Sequence, residues 1–124
     1  MSQIQCVLIV DDEPSIREIL GRSLAHAGYD THEAGGPVEA SRAFLDHNID
    51  AVILDLRMPD LSGFRFLDWL RNEPSERAQT VPVFILTGHP LTPEEQETLR
   101  RRHAEVFFKP QGLNDIVKAL ARLR

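Results

Sequence analysis

The stretch Cys6-Val-Leu-Ile-Val-Asp-Asp12 runs from five apolar residues directly into two adjacent carboxylates. Three more apolar runs end at a polar residue in the same way, namely Ala51-Val-Ile-Leu-Asp55, Val83-Phe-Ile-Leu-Thr87 and Val106-Phe-Phe-Lys109. Continuous apolar runs are typical of strands that are buried on both faces, and therefore of a parallel sheet with helices on both sides. A shorter strand is predicted from about Tyr29 to Ala34, which completes five strands.

The segments between these strands carry apolar residues at helical spacing and helix start signals. The helices are predicted at Pro14 to about Ala27, Pro37 to about Asn48, Ser62 to about Asn72, Pro93 to about Arg102 and Leu113 to Arg124. Thr92 with Glu95 three residues later has the sequence of a capping box. We expect a solvated loop from Glu73 to Thr80. Because parallel crossovers are right-handed, the alternation predicts an α/β fold with a doubly wound parallel sheet.

Length and composition limit the class of protein. A chain of 124 residues with 42% apolar residues has the size and the core of one domain, so we expect residues 1–124 to form a single domain. The net charge is -5 and the basic residues are scattered except for Arg100-Arg-Arg102, which argues against direct nucleic-acid binding. No apolar run approaches the roughly 20 residues that cross a bilayer. Without a signal peptide pattern either, the expected location is cytoplasmic, with no membrane contact.

The carboxyl ends of parallel strands share one edge, and open α/β sheets bind ligands outside that edge. The polar side chains brought to this edge would be Asp11, Asp12, Asp55, Thr87 and Lys109. Three carboxylates against one ammonium leave about the charge that a divalent cation neutralises, and Mg²⁺ prefers a few carboxylate oxygens with waters and a phosphate oxygen. Asp55 stands alone at the centre, where its carboxylate could act as a nucleophile towards a phosphoryl group.

Across essentially its whole length, the chain resembles a response-regulator receiver domain of two-component signalling. The residues that carry the resemblance are the acidic pair in Val10-Asp-Asp-Glu13, the motif Asp55-Leu-Arg-Met-Pro59 with Gly63 following, the Thr87-Gly88 step and Lys109-Pro110. The resemblance implies a flavodoxin-like receiver fold with strand order 2-1-3-4-5. It also implies that Asp55 accepts a phosphoryl group from a phosphohistidine on a sensor histidine kinase or a histidine phosphotransfer protein.

The same resemblance implies a ligand set for the metal and the phosphoryl group. Mg²⁺ would be held by Asp12, Asp55 and the backbone carbonyl of Arg57, with Asp11 acting mostly through water. Thr87, Lys109 and the backbone N–H of Gly88 would contact the phosphoryl oxygens.

Two positions bear on how such a domain would switch and reset. Three residues before the lysine the family usually has an aromatic residue, whereas this chain has Val106, which is stiff at χ1 and too small to replace a swinging ring. Of Phe107 and Phe108, strand alternation predicts that one enters the core and the other faces the opposite way. In this family the positions of Arg57 and His89 flank the path of the hydrolytic water, so we predict that they set the lifetime of the phosphorylated state.

The function indicated is a phosphorylation-controlled signalling domain, not an enzyme with a diffusible product. Its partners would be the phosphohistidine donor and an unknown downstream effector, with the chain a monomer or a weak dimer. A haloacid-dehalogenase-like phosphatase carries its nucleophile in a D-x-D motif after the first strand, where this chain has Asp11-Asp-Glu13. The same carboxylates would repel the phosphate of a flavin in a flavodoxin-like binder. An unphosphorylated pseudo-receiver, acting only as an interaction module, remains the alternative, although no acidic or lysine position is lost.

Overall fold

The computed structural model describes residues 4–56, 62–109 and 112–123, without the side chain of Ser62. Arg57, Pro59 and Pro110, which belong to the motifs quoted above, lie outside these ranges. None of the helices in the described part of the chain has both the length and the apolar character needed to span a bilayer.

Apart from one additional short helix at Glu76–Thr80, strands and helices alternate along the described chain as the apolar pattern predicts, with bounds within about two residues of those expected. The elements in chain order are β1 (Cys6–Val10), α1 (Pro14–His26), β2 (Asp30–Ala34), α2 (Pro37–Asp46), β3 (Ala51–Leu54), α3 (Ser62–Asn72), α4 (Glu76–Thr80), β4 (Val83–Thr87), α5 (Pro93–Arg101), β5 (Ala104–Phe108) and α6 (Gly112–Arg122).

The five strands form one sheet in the order β2-β1-β3-β4-β5, and every neighbouring pair is parallel. The predicted doubly wound sheet with strand order 2-1-3-4-5 is confirmed. The chain runs outward from β1 to β2 and then returns past β1 to β3, so the winding reverses between β1 and β3. Ligands of open α/β sheets bind at such a reversal, outside the carboxyl ends of the strands.

The sheet separates two apolar cores. Val7 and Ile9 of β1 pack with α1 and α6, whereas Leu8 and Val10 pack with α2, α3 and α5, because successive side chains of a strand point to opposite faces. We call these faces the α1/α6 side and the α3/α5 side. None of the four side chains is more than 1% exposed, which is the burial on both faces that a continuous apolar run predicts.

Helix α4 lies in the segment that we expected to be a solvated loop, so that prediction was wrong for Glu76–Thr80. The helix begins because the Ser75 side chain accepts a hydrogen bond from the backbone N–H of Ala78, which satisfies one of the free donors of the first turn. Ala78 itself is buried in the core of the α3/α5 side. A single small apolar residue in a polar segment gave no periodic signal, and for that reason the sequence did not predict this helix.

Helix α5 is attached to the rest of the molecule at few points. Its capping box is confirmed, since the Thr92 hydroxyl accepts from the Glu95 N–H at 3.1 Å and the Glu95 carboxylate accepts from the Thr92 N–H at 2.8 Å. Leu99 is the apolar side chain by which α5 enters the core. At its C-terminal end the guanidinium of Arg71, on α3, donates to the carbonyl of Arg102 at 2.8 Å.

Candidate functional site

Asp11 and Asp55 follow β1 and β3, the two strands between which the winding reverses. The hydrogen bonding of the sheet continues into both residues: the Asp55 N–H donates to the Val10 carbonyl at 2.9 Å, and the Asp11 N–H donates to the Ala34 carbonyl at 3.1 Å. The backbones of both residues are therefore held by hydrogen bonds to neighbouring strands. Asp11 is 2% exposed and Asp55 is 5% exposed, whereas the neighbouring Asp12 is exposed.

The carboxylates of Asp11, Asp12 and Asp55 form one cluster, which we call the acidic side of the site. One oxygen from each of the three lies within 4.8 Å of the other two. Hard divalent cations prefer carboxylate oxygen ligands, and Mg²⁺ needs only one or two of them beside water. The donor atoms and their spacing fit such an ion, with two buried ligands and one exposed ligand that leaves room for water.

The charges of the acidic side act on one another in the absence of a cation. The pKa of Asp11 is raised to about 6, first because burial disfavours its charged form and then because the charges of Asp55 and Asp12 repel it. The hydrogen bond from the Glu13 N–H at 2.9 Å and the charge of Lys109 act in the opposite direction. The acidic side therefore favours either a proton or a cation.

Thr87 and Lys109 form the other half of the site, which we call the cationic side. Thr87 ends β4 and is 1% exposed, and its carbonyl accepts from the Lys109 N–H at 2.8 Å. The Thr87 hydroxyl accepts a hydrogen bond from the His89 N–H at 3.3 Å. Gly88 lies between Thr87 and His89 in the chain, and a Cβ atom on Gly88 would be 3.8 Å from Cδ of Lys109. The sheet therefore brings Thr87, Gly88 and Lys109 together at one edge.

The remaining predicted positions are placed around this edge in different ways. His89 is exposed and directly follows the Thr87-Gly88 step, and Arg57 lies outside the described residues. Val106 is half-buried and packs against the core of the α3/α5 side, where it lines a groove of about 370 Å³ together with Leu91, Leu99 and Phe108. The structure therefore places Val106 on the α3/α5 side, in the groove beside α5.

The two phenylalanines of β5 separate as strand alternation predicts. Phe107 packs on Phe84 on the α1/α6 side, with ring centroids 5.8 Å apart. Phe108 is 50% exposed and lines the groove on the α3/α5 side. The expected division between one core ring and one ring on the opposite face is confirmed.

Sequence reasoning missed one residue that contacts the acidic side. Arg17, on α1, donates from Nη1 to the backbone carbonyl of Asp11 at 2.6 Å and from Nε to the Glu33 carboxylate at 3.2 Å. No motif or periodicity pointed to it, because the contact crosses a loop and ends on a backbone atom. Its position on α1, one turn after the acidic pair, was the signal that was available.

The close approach of α3 to β3 explains one glycine of the quoted motifs. A Cβ atom on Gly63 would lie 2.6 Å from the Asp55 carbonyl oxygen and 2.8 Å from Cα of Leu56. Real Cβ contacts do not occur at such distances, so only glycine allows α3 to begin directly against the backbone of Asp55.

The family model described as "Response regulator receiver domain" matches residues 7–121. Among curated proteins, the chain is similar to the transcriptional regulatory protein KdpE of Mycobacterium tuberculosis, with 36% identity over 118 residues that cover 95% of this chain and 49% of KdpE. It is 31% identical to the regulatory protein AtoC of Escherichia coli, over 94% of this chain and 24% of AtoC. The chain thus spans between about a quarter and a half of the length of these relatives.

Solved structures give the same picture of the fold. The chemotaxis protein CheY4 of Vibrio cholerae superposes with a TM-score of 0.85 at 29% identity, covering 98% of this chain and 99% of that one. The response regulator protein TrrA of Thermotoga maritima, solved in complex with Mg(2+)-BeF, superposes with a TM-score of 0.79 at 29% identity, covering 97% of this chain and 99% of that one.

Proposed function

The chain belongs to the response regulator receiver domain family of two-component systems, and we propose that Asp55 is its phosphoacceptor. The observation that carries this proposal is the position of Asp55, which is buried at the reversal of winding with one oxygen within 4.8 Å of oxygens of Asp11 and Asp12. A carboxylate held there by the β1–β3 pairing has little freedom, so it is oriented before a donor arrives. Such orientation lowers the entropic cost of an in-line attack.

In the proposed reaction, a carboxylate oxygen of Asp55 attacks the phosphorus of a phosphohistidine. A P–O bond to Asp55 forms while the P–N bond to the imidazole breaks, and the leaving imidazole takes a proton from the solvent. The donor would be a sensor histidine kinase or a histidine phosphotransfer protein. The similarity of the chain to part of the sensor histidine kinase RcsC of Escherichia coli, at 31% identity over 112 residues, supports a place in this class of pathway.

The residues of the acidic side would hold Mg²⁺, as the complex of the TrrA protein with Mg(2+)-BeF suggests by similarity. We propose Asp12 and Asp55 as direct ligands, Asp11 mostly through water, and the backbone carbonyl of Arg57 as a further ligand. The ion would neutralise the negative charge that gathers when a phosphoryl group meets three carboxylates.

The cationic side would hold the phosphoryl oxygens. The Lys109 ammonium supplies a charge that already acts on the acidic side, since it lowers the pKa of Asp11 against the effect of burial. The Thr87 hydroxyl and the Gly88 N–H would donate to the remaining oxygens, in a region where Thr87 is shielded from water. The charge added at Asp55 would then favour one of two conformations, and a downstream effector would bind the favoured one. We propose that the domain releases no diffusible product of an enzymatic reaction. We also propose that the chain is a monomer or a weak dimer.

The test is the intact mass of the protein after incubation with MgCl₂ and acetyl phosphate. We expect a single phosphoryl adduct that disappears in Asp55→Asn and in the presence of a chelator. Asp46→Asn is the matched control, because Asp46 ends α2 and is exposed. This control should form the adduct as the unaltered protein does. No adduct with acetyl phosphate or with a phosphorylated histidine kinase would contradict the proposal and favour the pseudo-receiver alternative.

We further propose that Arg57 and His89 set the lifetime of the phosphorylated state. Replacing each with alanine should change the rate of phosphate loss, because His89 is exposed beside the residues expected to hold the phosphoryl oxygens. The rate is measured as decay of the adduct after removal of acetyl phosphate. An unchanged rate in the double variant would exclude this role.

A further inference from the structure

Arg17 connects three segments that meet at the acidic side of the site. Its side chain is 19% exposed and makes two directed contacts, to the Asp11 carbonyl at 2.6 Å and to the Glu33 carboxylate at 3.2 Å. Asp11 follows β1, Glu33 lies on β2, and Arg17 itself belongs to α1. A guanidinium presents several donors in a rigid plane, so it can hold two acceptors in a fixed relation.

The contact with the Asp11 carbonyl fixes the peptide that joins Asp11 to Asp12. The same short segment is held at two further atoms: the Asp11 N–H donates to the Ala34 carbonyl, and the Glu13 N–H donates to the Asp11 carboxylate at 2.9 Å. Asp12 lies between these anchors and its side chain is exposed. The backbone of Asp12, and with it the direction of its carboxylate, therefore depends on the anchors on either side.

The guanidinium of Arg17 also packs closely against Gly35, in the loop that follows β2. A Cβ atom on Gly35 would lie 3.2 Å from Nη1 of Arg17, which is closer than most real Cβ contacts. The Gly35 N–H donates to the Glu39 carboxylate at 3.2 Å, so this loop is itself held in place. Gly35 leaves the space that the Arg17 side chain needs in order to reach Asp11.

We propose that Arg17 is a positioning residue for the metal site, which sets the affinity for Mg²⁺ by fixing the peptide between Asp11 and Asp12. This inference rests on the proposed function, since it concerns the ion that the acidic side would hold. The two hydrogen bonds of Arg17 go to a backbone carbonyl and to Glu33, which lies outside the cluster. Arg17 acts through the backbone of the residues that bear the ligands.

The sign of the effect separates positioning from simple electrostatics. Arg17 is a positive charge near three carboxylates, so on charge alone its removal would make the site more negative and tighten the binding of a cation. If Arg17 positions Asp12, its removal loosens the ligand and weakens binding. The two roles therefore predict opposite changes in the dissociation constant for Mg²⁺.

The experiment is isothermal titration of MgCl₂ into the metal-free protein at neutral pH, well below the unfolding temperature. For Arg17→Ala we expect the dissociation constant to rise about tenfold, in the range seen when groups that orient metal ligands are removed. Arg17→Lys keeps the charge but cannot hold both acceptors in the same geometry, so it should also weaken binding, by about threefold. Arg22→Ala is the matched control, because Arg22 lies on the same helix in an exposed pair with Glu18. It should bind Mg²⁺ as the unaltered protein does.

Gly35→Ala tests the same inference without removing Arg17. The added methyl group would press on Nη1, so we expect a weakened affinity for Mg²⁺ with the charge of the site unchanged. This variant also keeps the inference testable if Arg17→Ala does not fold. An unchanged or tighter affinity in Arg17→Ala, or in Gly35→Ala if the first variant is unfolded, would overturn the inference. Binding of no Mg²⁺ by the unaltered protein would instead overturn the proposed metal site, and this inference with it.

Discussion

The acidic side and the cationic side of the site differ in how the sheet supports them. The acidic side follows β1 and β3, whose neighbours lie on both edges and whose residues from Val7 to Val10 and from Ala51 to Leu54 are all buried. The cationic side ends with Lys109 after β5, an edge strand with no fully buried residue. The like charges, which repel one another, thus follow two central strands with buried residues, whereas the lysine that would contact a phosphoryl group follows an edge strand.

This difference indicates which strand of the site is most able to shift. We therefore expect a ligand that fills the space between the two halves to draw Lys109 towards it. Asp55 follows β3 and Thr87 ends β4, two central strands whose residues are all buried, so both should move less. The half-buried Val106 and the exposed Phe108 lie on β5, the strand that leads directly to Lys109. A shift of β5 would therefore change the surface beside α5, even without a swinging aromatic ring at position 106.

The largest expected difference between the two halves is at their glycines. Gly63→Ala should destabilise the protein by about 3 kcal/mol, because its Cβ atom would overlap the Asp55 carbonyl oxygen and both partners are backbone atoms that cannot move alone. Urea unfolding measures the change. Gly88→Ala is the control on the cationic side, where the nearest atom is 3.8 Å away, and its stability should change by less than about 1 kcal/mol. Equal losses in the two variants would contradict the difference in packing around these two glycines.

The next prediction sharpens the comparison within β5. Phe107→Ala should lower the free energy of unfolding by about 2 kcal/mol, because it removes a ring that packs on Phe84 in the core of the α1/α6 side. Phe108→Ala should change it by less than about 0.5 kcal/mol, since half of that ring is exposed. The comparison is made by urea unfolding of both variants. A larger loss for Phe108 would show that the surface beside α5 is better packed than the structure indicates.

The smallest effect concerns the pH dependence of the acidic side. The pKa of Asp11 is about 6 in the folded protein and 3.8 without the fold, so the folded state binds the proton more tightly. This contribution to stability is complete below pH 3.8 and is lost as the pH rises through about 6. Between pH 5 and pH 7.5, in the presence of a chelator, the free energy of unfolding of the protein should fall by about 1 kcal/mol. The free energy of unfolding of Asp11→Asn should not show this fall. The exposed Asp12, replaced by asparagine, is the control and should keep most of the dependence. Identical pH profiles for Asp11→Asn and the unaltered protein would exclude a raised pKa at Asp11.

The sequence predicted those parts of the fold and site that depend on continuous burial. β1, β3 and β4 are apolar without interruption, so both their positions and the polar residues at their ends could be identified. The apolar run predicts that β5 begins at Val106, whereas the strand begins at Ala104, because Glu105 is exposed at the edge of the sheet and interrupts the apolar run. Edge strands give a weaker signal because only part of each strand is buried.

The parts that could not be predicted depend on contacts between a side chain and the backbone. Arg17 reaches the Asp11 carbonyl, and Arg71 reaches the Arg102 carbonyl, through side chains whose direction is set only by the finished packing. The raised pKa of Asp11 likewise follows from its burial. The burial of a charged side chain cannot be predicted from the sequence alone. Neither kind of feature leaves a periodic pattern in the chain.

The reversal of winding between β1 and β3 also affects when the site appears during folding. These two strands are neighbours in the sheet, yet α1, β2 and α2 lie between them in the chain, so their pairing closes a long loop. Closing such a loop loses entropy, which other contacts must offset. Asp11 and Asp55 therefore meet only in a chain that has completed its central sheet. A phosphohistidine donor that requires the assembled pocket would act on folded molecules alone, so newly made or damaged copies would not consume the signal.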